Sequence, residues 1–261
     1  MSESNIKVIA IDLGSRGNEN QLDEFLAEVP GAATHVWRVN PLQHTWRTGA
    51  NLLDDNAAAA AATIRHIVDG HTVVLGYCAG AAFTLRLAAA LEATHRAPGA
   101  VVLAGPTPVT GSLINDEIDD LARRLGGGGG LAGELAGLLP GDAIDPVALF
   151  TPLSDRLRAL AAAQAADLGV PASALPGVVD GIVGWYVDWV CFLFAARSAT
   201  ADARVSVSVH VVGEVTSEAS AWIHSTLTNT SIADPGETAA SAVARIVGDV
   251  SATQNADTIG R

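Results

Sequence analysis

Cys78 is the residue in this sequence best placed to do covalent chemistry. It stands in Gly76-Tyr77-Cys78-Ala79-Gly80, directly after the apolar run Thr72 to Leu75 and directly before an Ala/Leu-rich stretch of helical spacing. Strand, sharp turn and helix in that order are the setting of the G-x-S-x-G nucleophile elbow, here with a thiol in place of the hydroxyl. Such an elbow needs small neighbours, because strand and helix approach closely and the backbone is strained; side chains at Gly76 and Gly80 are expected to clash. The turn lifts the nucleophile over the sheet edge and puts the N–H of Ala79 where an oxyanion would form. The plainer alternative is a buried cysteine in a Gly-rich turn, since free Cys packs as a small hydrophobe. The flanking strand and helix favour the nucleophile.

A second oxyanion donor is expected from the loop after the first strand, Leu13 to Arg16, with Gly14 the candidate donor. Ser15 and Tyr77 are candidate substrate contacts beside it. Arg16 suits a phosphate, though it reads more simply as a solvated loop arginine. For a base, His224 comes first, in the segment after the last central strand, against the reading of a surface or packing histidine. Glu214 reads as an exposed loop charge. His71 precedes the elbow strand at its far end, and neither His35 nor His210, both within strands, carries an argument for catalysis. Cys191 reads as a buried hydrophobe. The aromatic segment with Trp185, Tyr186, Trp189, Phe192 and Phe194 is core, the wall of an acyl tunnel, or a dimer contact. No metal or cofactor is expected.

The elements that must position these residues alternate regularly at first. Strands are expected at Lys7–Leu13, Thr34–Val39, Thr72–Leu75 and Ala100–Ala104, with helices over Gln21–Val29, Asp54–Asp69 and after Gly80. That rhythm implies an α/β fold, a mainly parallel sheet with helices on both faces. From Gly111 to about Ala203 only helical segments are expected, around the glycine run Gly126–Gly130 and over Arg156–Leu168 and Val178–Arg197. A strand returns at Arg204–Val212, then a helix from Glu218, a weak strand near Ser231 and a helix over Thr238–Val250, with a frayed polar tail. The division is therefore 1–110 and 204–261 as two parts of one core, and 111–203 as a helical lid insertion.

The chain has 261 residues, 49% of them hydrophobic, which suits one domain with a sizeable core and argues against disorder. A net charge of -13, with Lys7 the only lysine, argues against nucleic acid as a partner. Two cysteines make no disulfide framework. The start MSESNIKVIAIDLG lacks a signal core, and the longest apolar stretch, Ile182–Ala196, is interrupted by Asp188 and short for a membrane span. A cytoplasmic protein with no membrane partner is expected.

On GYCAG, the early position of Cys78, the first strand with its Gly-Ser loop and the helical insertion, the chain resembles the α/β-hydrolase thioesterases of polyketide and non-ribosomal peptide assembly lines. Dienelactone hydrolases share a G-Y-C elbow, but their nucleophile usually follows a longer N-terminal region. Cysteine at the elbow is similar to the Dieckmann cyclases, which release tetramate and pyridone polyketides. The resemblance implies an acyl or peptidyl carrier protein as partner, presenting a phosphopantetheine-bound chain to Cys78, while the aromatic segment leaves open a homodimer through the lid helices. It also exposes two departures. The triad acid of these enzymes falls here at Gly105, in LAGPTP, and the histidine falls about at Glu237, in Asp234-Pro235-Gly236-Glu237-Thr238; that position makes Glu237 a second candidate base beside His224, against the reading of a helix N-terminal carboxylate meeting the dipole. Loss of both matters less for cysteine than for serine, because a free thiol is already partly thiolate near neutral pH. Such a site is expected to favour ring closure by a tethered nucleophile over hydrolysis. The alternatives are a non-catalytic binding protein of the same fold and a small-molecule hydrolase or isomerase of dienelactone-hydrolase type.

Overall fold

Six short strands pair into one sheet among the described residues. The computed structural model describes residues 7–13, 26, 36–43, 53–135, 146–198, 205–227, 230–233 and 237–259. Its strands are β1 (Lys7–Ile11), β2 (Val36–Val39), β3 (Thr72–Tyr77), β4 (Ala100–Ala104), β5 (Val209–Val212) and β6 (Thr230–Ile232). They lie in the order β2-β1-β3-β4-β5-β6, and every pairing is parallel. Strands covered on both faces read as continuous apolar runs, and β4, Ala-Val-Val-Leu-Ala, is buried throughout.

Parallel strands need crossovers, and these supply the helices. The helices α1 (Leu53–Ile64) and α2 (Ala81–Ala93) pack on each other, and α2 packs on β3 and β4. The opposite face carries Val8, Ala10, Val73, Leu75 and Val102, which cluster with Leu26 and with Ala242, Val243, Ile246 and Val247 of the closing helix. Strand order reverses between β1 and β3, since one chain leaves toward β2 and the other toward β4. In open α/β sheets the crevice at the carboxyl ends of such strands is where ligands bind, and Cys78 follows β3 there.

Two compact units divide the chain: residues 1–43, 52–108 and 199–261 hold the sheet, and residues 44–51 and 109–198 form the other. The second unit is helical over its described residues. Its α3 (Gly111–Arg124) is capped by Thr110, whose hydroxyl accepts the Leu113 N–H at 3.2 Å. Gly126 and Gly130, both at positive φ, turn the chain into α4 (Leu131–Leu135). Then come α5 (Pro146–Asp167) and α6 (Leu175–Ser198), packed together. After β5, α7 (Ser217–Thr226) leads to β6, and α8 (Ala239–Ile259) closes the chain.

Several boundaries differ from expectation. α5 begins well before Arg156 and contains Pro152; β5 begins at Val209 rather than Arg204. The tail expected to fray is helical to Ile259. The helix expected over 21–29 lies outside the described residues except at Leu26. α6 is long and apolar enough to cross a bilayer by length and composition, unlike the shorter run read from the sequence. Half of its apolar window is buried, and it packs on α5 and α3 as a core helix does.

Candidate active site

The elbow forms as its residue types require. β3 ends at Tyr77, Cys78–Gly80 make one turn of 3-10 helix, and α2 starts at Ala81. Cys78 has φ 52, one of two positive-φ non-glycine residues among those described. The other, His95, follows the C-cap of α2, where a left-handed residue commonly ends a helix. Cys78 caps nothing, and the left-handed region costs a residue with a Cβ about 1–2 kcal/mol. The strain falls on Cys78, which is half-buried while the next residue, Ala79, is buried.

Of the two glycines flanking the turn, only Gly76 is required by space. A Cβ there would stand 1.9 Å from the hydroxyl oxygen of Thr84, a fully buried α2 residue that donates to the Gly80 carbonyl at 2.9 Å. A Cβ on Gly80 would meet Ile11 and Leu13 at 3.5 and 3.6 Å, ordinary contact, and its φ of -67 suits any residue. The clash expected at Gly80 is therefore corrected: the strand–helix approach is tightest two residues before Cys78, at Gly76, and not two residues after it.

Around the sulfur, the structure supplies a residue that spacing did not reveal. Thr107, in Gly105-Pro106-Thr107-Pro108 after β4, accepts a hydrogen bond from Cys78 Sγ at 3.5 Å. Its backbone N–H donates to the Cys78 carbonyl at 3.3 Å, and its hydroxyl donates to the Gly105 carbonyl at 3.4 Å. The only sequence signal was the Pro-Thr-Pro triplet at a strand end. Gly105, where the resemblance led one to expect an acid, has φ 49 and no atom within 4 Å of where a Cβ would be. Tyr77, beside the thiol, is 39% exposed. Burial and then the neighbouring Cys78 push its phenol above the usual value, so it stays a donor at neutral pH.

The candidate bases are not brought to Cys78. β5 and β6 are parallel, so α7 must run from the C-terminal edge of the sheet back to the other. His224, in the last turn of α7, is therefore carried away from the elbow edge; it is exposed, and its Nδ1 lies 2.7 Å from the Ser220 carbonyl oxygen. Glu237 stands before α8 on the elbow side, but both its oxygens accept from Arg245, at 3.2 and 3.0 Å. Arg245 holds its carboxyl below the usual range, the reverse of what a base needs. Glu214 is exposed, and His71 lies at the far end of β3. Gly14, Ser15 and Arg16 lie outside the described residues.

His210 is half-buried beside a cleft of about 330 Å³ lined also by Ser231, Arg245 and Ile246. Its Nδ1 lies 2.7 Å from the Ser231 hydroxyl. Burial, then the Arg245 charge, lowers its pKa against an opposing pull from Asp249. Among the described residues no group of three His, Cys, Asp or Glu is placed to hold a metal.

In the second unit the aromatic segment forms a ladder along α6. Trp185 and Trp189 stack at 6.5 Å with 7° between planes, Trp189 and Phe192 at 5.7 Å, and Trp185 meets Tyr186 edge-on at 5.4 Å. Trp189 is buried and its indole N–H donates to Glu117 of α3 at 3.1 Å, whereas Trp185 and Tyr186 are half-buried. Cys191 is buried, as its reading required.

No protein-family model matches the sequence, and no curated protein matches it. Solved structures do. The Vlm2 thioesterase domain, with 2,3-diaminopropionic acid genetically encoded and a dodecadepsipeptide bound, is similar over 95% of both chains at 13% identity and a TM-score of 0.52. AB3403, a four-domain nonribosomal peptide synthetase bound to AMP and glycine, is similar over 97% of this chain and 19% of its own, at 16% identity and a TM-score of 0.51. The fold is that of an α/β hydrolase. At these identities the likeness establishes the α/β-hydrolase core and leaves the chemistry to be argued from the residues themselves.

Proposed function

We propose that the protein is a thioesterase-like enzyme that takes an acyl or peptidyl chain from a carrier-bound thioester onto Cys78. Release follows by attack of a nucleophile within the chain, closing a lactam, lactone or Dieckmann-type carbon ring. The observation that carries this reading is the strained, half-buried thiol at the strand–helix turn of an α/β-hydrolase core. In the first step the thiol proton leaves Sγ, Sγ bonds the acyl carbon, the thioester C–S bond breaks, and the departing sulfur takes up one proton. The exchange joins one thioester to another of similar energy, so positioning counts for more than base strength. The N–H of Ala79 is the proposed oxyanion donor, with Gly14 the proposed second. Attack by water needs an activated water, and with Glu237 tied to Arg245 and Gly105 in the acid's place that activation is poorly provided. A tethered nucleophile gains ~7–11 kcal/mol from proximity instead.

A carrier protein is the proposed partner, and Trp185 and Tyr186, the less buried rungs of the ladder, are the proposed chain contacts. The other reading, a binding protein without catalysis, draws on the same Glu237–Arg245 pair. Two N-acyl-cysteamine thioesters of equal length, with and without an internal amine, separate these outcomes by intact mass and product analysis. The expected result is a Cys78 adduct from both, long-lived for the plain chain and converted to a ring for the other. No adduct from either would leave the binding protein; fast hydrolysis of both would overturn cyclisation.

A further inference from the structure

We infer that Thr107 is the hydroxyl that holds the Cys78 thiol before attack and stabilises it as thiolate during attack, an assignment that rests on the acyl-transfer reading above. Two separate hydrogen bonds join these residues: Cys78 Sγ to the Thr107 hydroxyl at 3.5 Å, and the Thr107 N–H to the Cys78 carbonyl at 3.3 Å. The second fixes the Thr107 backbone against the nucleophile whatever side chain it bears. Pro106 and Pro108 stiffen that backbone further, since each fixes its own φ and Pro108 disfavours the helical conformation at Thr107. The positive φ of Gly105 turns the chain out of β4 to bring the triplet to the elbow.

A threonine hydroxyl has one proton and two lone pairs, so it accepts from a thiol or donates to a thiolate by rotating about its C–O bond. In the resting site it accepts from Sγ and donates to the Gly105 carbonyl. That second bond, at 3.4 Å, is long and therefore easily given up. As the Sγ–H bond breaks, the hydroxyl swings to donate to sulfur, and a charge-assisted bond replaces a weak neutral one. Thr107 is unchanged over the cycle, because the proton goes to the departing sulfur.

The test uses the full chain with Cys191→Ala, so that only Cys78 is alkylated, and measures iodoacetamide rate against pH. With Thr107→Val, alkylation near neutral pH is expected to be about tenfold slower. Thr107→Ser should stay within about twofold of the parent. Valine keeps the shape and the backbone bond, so packing alone does not slow the reaction. If Thr107→Val fails to fold by circular dichroism, Thr107→Ala takes its place with the same expected slowing. Superimposed profiles for the parent and the hydroxyl-less variant overturn the assignment, even where the thioester adduct still forms. Slowed alkylation in a protein that never forms the adduct upholds Thr107 as the thiol's partner and overturns acyl transfer instead.

Discussion

Two glycines around one cysteine show how far residue types carry an argument. The G-x-C-x-G spacing marks both as small by necessity, yet only Gly76 faces a buried side chain at a distance no Cβ tolerates. Gly76→Ala should therefore cost ~1–3 kcal/mol, because Thr84 is fully buried and its hydroxyl is bonded to the Gly80 carbonyl. Gly80→Ala is expected to be neutral, or stabilising by up to ~1 kcal/mol through loss of unfolded-state freedom at a compatible φ. Urea midpoints of the two variants check this contrast. Equal destabilisation would mean that the elbow is as tight after Cys78 as before it. Cys78 and its turn were legible because the motif is local. Thr107 was not, since its role depends on β4 lying beside β3, a contact between residues far apart in the chain.

At the scale of elements, the strands and crossovers followed from β-branched runs punctuated by Gly and Pro, and the sheet's six strands were each expected. Helix ends were read less well. α5 runs through Pro152, which lies within its first turns, and α8 continues into a polar tail that no composition argument favours. The aromatic rungs of α6 pose the sharper question, core or chain contact. Trp189 is buried and gives its N–H to Glu117 on α3, so Trp189→Phe should destabilise the protein by ~1–2 kcal/mol through that lost bond. Acylation of Cys78 should stay within about twofold of the parent. Urea unfolding and adduct formation, measured on the same variant, decide it: unchanged stability with slow acylation would make the ring a substrate contact.

For the whole molecule, the charged groups on the face covered by α8 predict a response to acid. Burial and the Arg245 charge hold His210 below the ordinary imidazole value of 6.5, with Asp249 opposing. The unfolded chain thus takes up this proton at higher pH than the folded one. Stability from neutral His210 is fully present above 6.5 and is lost as pH falls through the lower folded value. His210→Gln, which retains a group able to bond Ser231, should lose less stability than the parent between about pH 7 and pH 5. Urea midpoints across that range test the sign. Parallel losses would mean that His210 is no more difficult to protonate when folded.

The sequence by itself determined the strand–turn–helix that carries Cys78 and the parallel α/β core. Each is written in short stretches whose periodicity and small residues act locally. Tertiary structure alone decided what surrounds the thiol. Parallel pairing of β5 and β6 forces α7 away from the elbow edge and carries His224 with it. The register of β3 with β4 sets Tyr77 beside Ala104, so that the turn after β4 delivers Thr107 to Cys78. The first turns of α8 bring Arg245 back onto Glu237 and remove its carboxylate from service as a base. Partners fixed by strand register and helix direction lie many residues apart, and no local pattern of residue types records which of them will meet.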